Sequence, residues 1–420
     1  MRVIADWHVH SRYSRACSQD LTLENNALWC EKKGVTVLGT ADFTHPKWFS
    51  ELEEKLIEEE PGLYRLVSGS HPSVRYMMTT EVAQIYRRGG KIRRIHNIIL
   101  APSIGAVKRI NAWMTDAGYN LASDGRPILG LDSEDLYKRL RDIDERIVMI
   151  PAHAWTPWFS VFGSKSGFDS LEECFGEMTP YIYAIETGLS SDPLMNRSLS
   201  MLDDVMLISN SDAHSPRNFG REANVFEIDE AKYSYDEFIR VLRERDQKSF
   251  LSTIEFYPEE GKYHIDGHAS CHFSCSPKET EQLKGICPQC KRPLVVGVMS
   301  RVAELADRTV ATMPKDHVNF RSIVPLQEIL AKTFGLSSAS GKKVQQMYEK
   351  MIAELGSEFS ILLDVALPAI ASVAGDTIAE AIHRVRTGKI SIESGYDGVY
   401  GKVEIFTQDE LRSMKLNGIR

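Results

Sequence analysis

The chain has 420 residues, 43% of them hydrophobic and 26% charged, with a formal net charge of −8. That length exceeds what one compact domain usually holds, and the apolar content excludes a disordered or fibrous chain. The acidic balance excludes a chain that is basic overall, although a local basic patch can still meet phosphates.

Met1-Arg2 runs directly into an apolar strand, Val3-Ile-Ala-Asp6-Trp-His8-Val-His10. No separate apolar targeting segment is seen, so no secretory signal is expected. His8 and His10, at i and i+2, share one face of a strand. Two imidazoles at a strand end can grip one metal ion. Alone the pair is a weak signal; its recurrence downstream gives it weight. Val35 to Ala41 is apolar and β-branched and ends at Asp42, with His45 close behind. Tyr76 to Glu81 ends in a carboxylate, and Ile92 to Leu100 carries His96. Ile147 to His153 ends in a histidine, Ile182 to Glu186 in a carboxylate, and Val205 to His214 in both Asp212 and His214.

Helical patterns lie between several of these strands, as over Leu23 to Lys33 and Ser133 to Ile143. The alternation predicts parallel strands joined by helical crossovers. Seven such strands fit a closed or nearly closed α/β barrel over residues 1–225. The ligand-type residues then converge on the mouth made by the carboxyl ends of the strands. Singly, each has a plainer role: His153 as a hydrogen-bonded core histidine, Glu81 as an ion-pair partner. Together, mixed histidine and carboxylate donors suit Zn, Mn or Fe(II), with room for two or three ions.

These motifs resemble the PHP (polymerase and histidinol phosphatase) family, a distorted (β/α)7 barrel with a two- or three-metal phosphoesterase site. The resemblance implies that His8, His10, Glu81 and Asp212 hold one ion. Glu81 would bridge to a second held by His96 and His153, and His214 with Asp42 or His45 would hold a third. The family has Asp-His adjacent at its second motif, whereas here the sequence is Asp42-Phe-Thr-His45, so either residue is the candidate. Cys17 and Asp20 are candidates for a further ligand after His8-x-His10.

The loop after His153 carries Trp155, Trp158, Phe159 and Phe162. It is either a small core packed on the barrel or a stacking surface for a nucleobase, worth ~1–3 kcal/mol per stacked base. Five cations surround Gly89-Gly90 between Arg87 and Arg94. The plain reading is a solvated hairpin; the alternative is that Arg88 and its neighbours reach a phosphate backbone. Arg217 and Arg221 are phosphate-clamp candidates or ion-pair partners of Glu222. Asp192, six residues past Glu186, either positions a water or metal as a catalytic group alongside Asp212 and His214, or caps a helix starting at Pro193. Its place on the expected mouth favours the site role.

From about residue 226 the rhythm changes. Tyr233 to Arg245 reads as an amphipathic helix and Phe250 to Tyr257 as a strand. Cys271-x3-Cys275 and Cys287-Pro-Gln-Cys290 follow, eleven residues apart. This is zinc-ribbon spacing, with four thiolates around a closed structural zinc, and it places a zinc-binding domain within residues 226–300. His268 and His272 lie beside it as competing ligands. Cys17, Cys30 and Cys174 remain as buried or free thiols, and cysteine use of this kind points to the cytoplasm rather than to disulfides. Helices are predicted over 297–309, 324–333, 341–355 and 375–387. The apolar run from Phe359 to Ala374 is broken by Asp364 and Pro368 and is not expected to span a bilayer. A hairpin with an Asp397-Gly398 turn closes the chain. Residues 301–420 thus read as a mainly helical region with a terminal hairpin.

The order of motifs narrows the resemblance. PHP-type ligands are followed by the two cysteine pairs, then Val298-Met-Ser-Arg-Val-Ala-Glu-Leu-Ala-Asp307, Ile323-Val-Pro-Leu-Gln-Glu-Ile329 and Tyr396-Asp-Gly-Val-Tyr-Gly401. Over essentially its whole length the chain resembles the endonuclease Q family of archaea and some bacteria. The resemblance implies a DNA repair endonuclease that hydrolyses the phosphodiester on the 5′ side of deaminated bases (uracil, hypoxanthine, xanthine) and abasic sites, using metal-activated water. It also implies a structural zinc held by the four paired cysteines, two or three catalytic ions (Zn, Mn, Mg or Fe), damaged double-stranded DNA as partner, a DNA-binding role for residues 301–420, and no membrane. Two other readings compete. A PHP-type small-molecule phosphatase leaves the large second part unexplained. A non-catalytic zinc-ribbon DNA-binding protein leaves the ligand set unexplained.

Overall fold

The computed structural model describes residues 1–309, 312–314, 317–407, 409 and 410. The strands in chain order are β1 (Arg2–Asp6), β2 (Val37–Gly39), β3 (Leu56–Glu60), β4 (Leu63–Leu66), β5 (Arg75–Arg88), β6 (Lys91–Ala101), β7 (Ile128–Leu129), β8 (Val148–Pro151), β9 (Ala184–Glu186), β10 (Met206–Ile208), β11 (Ala223–Glu227) and β12 (Phe250–Glu255). They are followed by β13 (Asp266–His268), β14 (Phe273–Cys275), β15 (Asn319–Ser322), β16 (Ser391–Glu393) and β17 (Lys402–Glu404). Eleven of them, β1 to β8 with β11, β12 and β15, form one sheet.

Period-2 alternation in β1 sets the layering. Val3, Ala5 and then Trp7 pack with Phe226 and with Phe238 of the amphipathic helix Tyr235–Glu244. Ile4 joins the larger cluster on the opposite side. Asp6, His8 and His10 share the parity of Ile4, so the polar end of the strand is carried inward and all three are buried.

The parallel series expected from sequence gives way to a mixed sheet. β1–β2 and β2–β5 are parallel, but β1–β11, β11–β12, β5–β6 and β6–β8 are antiparallel. The reason is local at β5–β6. Gly89 and Gly90, with φ of 60° and 75°, make a two-residue turn that turns the chain straight back, with no crossover helix. β9 and β10 form a separate parallel pair. No ladder joins β10 to β1 among the described residues. An isolated bridge between Val9 and Ala213 and two asparagines span that gap. Asn210 Oδ1 accepts from the Trp7 N–H at 2.8 Å, and Asn224 Nδ2 donates to the same oxygen at 3.0 Å.

Helices Leu23–Lys33 and Ser133–Ile143 have their predicted bounds, capped by Thr22 and Asp132. The later helices are Val298–Leu305, Leu326–Phe334, Lys342–Leu355, Leu367–Ala374 and Asp376–Arg386. The apolar run splits into a π-turn, Ser360–Asp364, and the helix after Ala366. Among the described residues no helix is long and apolar enough to cross a membrane. β16 and β17 pair around the Asp397-Gly398 turn. Lys33, at the end of the first helix, pairs at 2.8 Å with Glu358, both being 3% exposed. Glu358 also accepts from the Leu326 N–H at 2.9 Å and the Tyr348 hydroxyl at 3.0 Å.

Candidate metal centre

His8 and His10, Glu81 in the middle of β5, and Asp212 just beyond β10 come together at one place. His8 Nε2 lies 3.4 Å from Glu81 Oε2 and 3.7 Å from Asp212 Oδ1. His10 Nε2 lies 3.3 Å and 3.0 Å from the same two atoms. On the other side of Glu81, Oε1 is 2.6 Å from His96 Nδ1 and 3.3 Å from His153 Nε2. The side chains thus form two groups, His8–His10–Glu81–Asp212 and Glu81–His96–His153, each with its donor atoms within 4.8 Å of one another. Glu81 belongs to both, one oxygen to each. Asp42, His153 and Asp212 have φ of 41°, 29° and 46°, a region that non-glycine residues enter mainly at constrained functional sites.

Two buried carboxylates orient the imidazoles from behind. His8 Nδ1 donates to Glu186 at 3.0 Å, and His10 Nδ1 donates to Asp42 at 3.3 Å. Glu186 also accepts from the His153 N–H at 2.6 Å and Asn210 Nδ2 at 3.1 Å. Asp42 Oδ2 also accepts from the Ser11 N–H at 2.8 Å and from the Ser11 and Ser14 hydroxyls at 2.7 Å each. With Nδ1 protonated, a tautomer assigned from these partners, each ring turns its Nε2 lone pair toward Glu81 and Asp212. This is the outer arrangement that prepares histidine for a metal. His8 Nε2 is buried and has no hydrogen-bond partner. A lone pair facing carboxylate oxygens is repulsive unless a proton or a metal cation lies between them.

The electrostatics agree. Burial opposes charge on His8 and His10, yet Glu186, Glu81 and Asp212 around the first, and Asp212, Asp42 and Glu81 around the second, raise both well above the ordinary histidine range. Burial also favours the neutral acids of Glu81 and Asp212. His96, Arg126 and His8 nevertheless hold Glu81 low, and His10 with His8 holds Asp212 low. The pocket is therefore built to keep positive charge among its carboxylates. At His96 burial wins over Glu81 and brings the pKa down to about 4, leaving the neutral imidazole that ligates metals. The orphaned nitrogen, the bridging carboxylate and the oriented rings fit divalent cations.

Other candidates fall elsewhere. Asp42 stands behind His10 as its orienting partner and joins neither group. His45 turns away: its Nδ1 accepts from the Trp48 N–H at 3.5 Å, capping the helix Pro46–Lys55, and its ring stacks on Tyr13 at 4.5 Å. His214 sits at the rim, its ring 4.6 Å from His10 and its Nδ1 donating to the Asp212 carbonyl at 2.9 Å. Asp192 lies outside both groups; its carboxylate accepts from the Met195 N–H at 2.7 Å and caps the short helix Pro193–Asn196. Cys17 joins neither group, its thiol pushed up to about 12 by burial, and Asp20 is exposed.

Of the expected nucleic-acid contacts, Trp155 is 1% exposed, donates to Asn196 at 2.7 Å and packs on Phe162, so it is a core residue. Trp158, in the same loop, is 44% exposed. Arg88 is held by Asp132, Glu134 and the Cys174 carbonyl. Arg221 donates to the Ser211 carbonyl at 2.9 Å and braces the ligand loop. Arg217 is half-buried on the segment beyond His214. Nothing in the sequence singles out Arg126, yet its Nη1 donates to Glu81 Oε2 at 2.8 Å.

The cysteine region brings together His268, Cys271, Cys287 and Cys290. Cys275, expected as the fourth thiolate, lies outside that group with its sulfur 3.2 Å from the Thr280 hydroxyl. His268 Nδ1 takes the place beside Cys290, 3.6 Å from its sulfur.

Residues 325–389 match the family model described as the MJ0043 C-terminal domain. Protein MJ0043 of Methanocaldococcus jannaschii is 31% identical over 258 residues, which are 61% of this chain; the chain covers 32% of that protein's length. A solved structure of endonuclease Q, in complex with a 27-mer duplex substrate with an abasic lesion at the active site, is 30% identical with a TM-score of 0.84, covering 98% of both chains. The chain belongs to the endonuclease Q family. A second member, the lesion-specific endonuclease PfuEndoQ from Pyrococcus furiosus, is 29% identical with a TM-score of 0.84, over 98% of this chain and 99% of that one. The mixed α/β fold with its large sheet is thus shared with endonuclease Q along nearly the whole chain.

Proposed function

We propose that this endonuclease Q family member is a metal-dependent DNA repair endonuclease. It hydrolyses the phosphodiester on the 5′ side of deaminated bases (uracil, hypoxanthine, xanthine) and of abasic sites. The observation that carries the reading is Glu81, with one oxygen in each of two histidine-containing groups. A carboxylate shared in this way suits a pair of divalent ions, and pairs of ions serve phosphodiester hydrolysis.

In this reading residues 1–225 form a PHP-type barrel, curled so that its strand ends meet at the two groups. His8, His10, Glu81 and Asp212 hold one ion, and Glu81, His96 and His153 the other. The donor chemistry suits Zn, Mn or Fe(II). When bound, such ions supply Lewis acidity toward the attacking water and the departing oxygen. The chain's own groups do the rest. Glu186 and Asp42 hold His8 and His10 in register. His214, its Nδ1–H tied to the Asp212 carbonyl, presents an Nε2 lone pair that accepts a proton at the rim. Trp158 is placed to stack on or wedge beside a base turned out of the duplex. Residues 226–300 contain a structural zinc held by Cys271, Cys287, Cys290 and His268, and residues 301–420 grip the duplex.

The test is a nicking assay on a duplex with one uracil or one abasic site, with Mg or Mn ions. Wild type nicks next to the lesion and Asp212→Ala does not. An intact duplex with wild type, or equal nicking by the variant, ends this reading.

A further inference from the structure

The loop Asp124-Gly125-Arg126-Pro127 is fastened on both sides of its arginine. Gly125 lies against the cradle of Asp42 and Ser14; a Cβ there would collide with Asp42 Oδ2 and Ser14 Oγ. Its N–H donates to the Tyr13 carbonyl at 3.1 Å, and its own carbonyl accepts from the Thr44 hydroxyl at 3.3 Å. On the other side, the Pro127 carbonyl accepts from the Ala83 N–H of β5 at 2.9 Å. The Arg126 N–H donates to Asp124 at 3.1 Å. The backbone is thus pinned to the segment that orients His10 and to the strand that carries Glu81. Arg126 reaches from there to Glu81 Oε2 at 2.8 Å, its side chain 27% exposed.

A guanidinium has five N–H donors in a planar fork that matches phosphate oxygens. One of those of Arg126 is spent on Glu81. It thereby touches the one carboxylate that belongs to both groups of donors. Arg88 and Arg221, two of the other arginines considered for phosphate, are tied to protein carboxylates or carbonyls.

We propose that Arg126 is a substrate-contacting residue: anchored by one N–H on the shared carboxylate Glu81, it offers its remaining N–H groups to a non-bridging oxygen of the scissile phosphate. The assignment rests on the nuclease reading. It adds that the phosphate lies on the Arg126 side of Glu81, and that the arginine acts on the transition state more than on duplex affinity, because it stands where charge develops.

The experiment uses the full chain with Mn ions and a fluorescent duplex holding one abasic site. The scissile phosphate is either normal or carries a single sulfur in place of each non-bridging oxygen in turn. Wild type, Arg126→Gln and Arg126→Lys are compared for single-turnover nicking rate, duplex affinity by anisotropy, metal content and melting temperature. With metal content and melting preserved, Arg126→Gln is expected to slow nicking about 10²–10³-fold with less than about tenfold loss of affinity. One sulfur position should slow wild type and lose that effect in the glutamine variant. The lysine variant, which keeps the charge and removes the fork, should lie between. Nicking by Arg126→Gln at the wild-type rate, or an unchanged sulfur effect in either variant, overturns the Arg126 assignment while leaving the nuclease reading in place. A slow Arg126→Gln that has lost metal, with Arg126→Lys fully active and an unchanged sulfur effect, makes Arg126 a support for Glu81 only and overturns the assignment too. A wild type that leaves the duplex intact overturns both.

Discussion

Glu186→Gln isolates the orienting role of a carboxylate that is not itself a metal ligand. In the native site Glu186 takes three donors, His8 Nδ1, the His153 N–H and Asn210 Nδ2, in a fully buried position. Glutamine has the same shape but offers one oxygen and an NH₂. At least one of the three donors must then face another donor, leaving a buried polar group unmatched at a cost of about 1–3 kcal/mol. His8 also loses the charge that fixes its proton on Nδ1. Loss of such an outer partner costs about 10–100-fold in metal affinity, which is about 1.4–2.7 kcal/mol. The assay is calorimetric titration of Mn into chelator-stripped wild type and variant, with melting curves run on the same stripped protein. The variant should melt earlier and bind the ion in the first group at least tenfold more weakly. Mn affinity within about twofold of wild type, in a folded variant, would refute the argument that the Nδ1 partner sets the ligand.

Trp158→Ala should weaken binding to a uracil-containing duplex by ~1–3 kcal/mol with melting unchanged, whereas Trp155→Ala should cost about 3–5 kcal/mol of stability; equal effects on binding and melting would contradict the separation of the two rings. His268→Ala should strip zinc from the purified protein and Cys275→Ser should retain it, as counted by elemental analysis; the reverse result would restore the four-cysteine arrangement. Burial, little offset by the Thr187 and Ser209 hydrogen bonds, pushes the Glu255 carboxyl up to about 8. A group that keeps its proton in the fold but releases it when unfolded stabilises fully below the ordinary carboxyl value and loses that contribution as pH rises through about 8. Unfolding free energies from denaturant titration should therefore fall between about pH 4.5 and pH 8, by at most about 1.4 kcal/mol per pH unit, and Glu255→Gln should flatten the decline.

Much of the centre was legible because strand ends concentrate it. His8, His10, Glu81, His96, His153 and Asp212 each close or interrupt an apolar run, so their identity survives without knowledge of the register. Roles that depend on what lies behind a ligand were not legible. Asp42 was a candidate ligand because it ends a strand, but whether a carboxylate faces the ion or the Nδ1 of a histidine is decided by a ring orientation that no spacing encodes. His45 and Asp192 carried a warning: both precede proline, at Pro46 and Pro193, where a residue that accepts from the first turn of a helix belongs. The cysteine spacing predicted a metal-binding cluster but could not rank His268 against Cys275, since the choice turns on the Thr280 hydroxyl beside the sulfur. Arg126 was invisible because its place depends on Gly125 fitting against Asp42 and Ser14, a contact between segments more than eighty residues apart in the chain. The antiparallel strands were missed for a simpler reason: the Gly89-Gly90 turn marked a hairpin, and the βα rhythm on either side outweighed it.

The Lys33–Glu358 pair bears on how rigid the molecule is. Both charges are sealed from water between the first helix and the late helices, and Glu358 is held from two further directions by Leu326 and Tyr348. A slip along that seam would strand an ion in a dry environment, at a cost comparable to removing one partner of a buried pair, about 3–5 kcal/mol. The seam therefore behaves as a keyed joint rather than a hinge. The two portions keep the mutual placement those contacts set, and any long partner touching both has to conform to it.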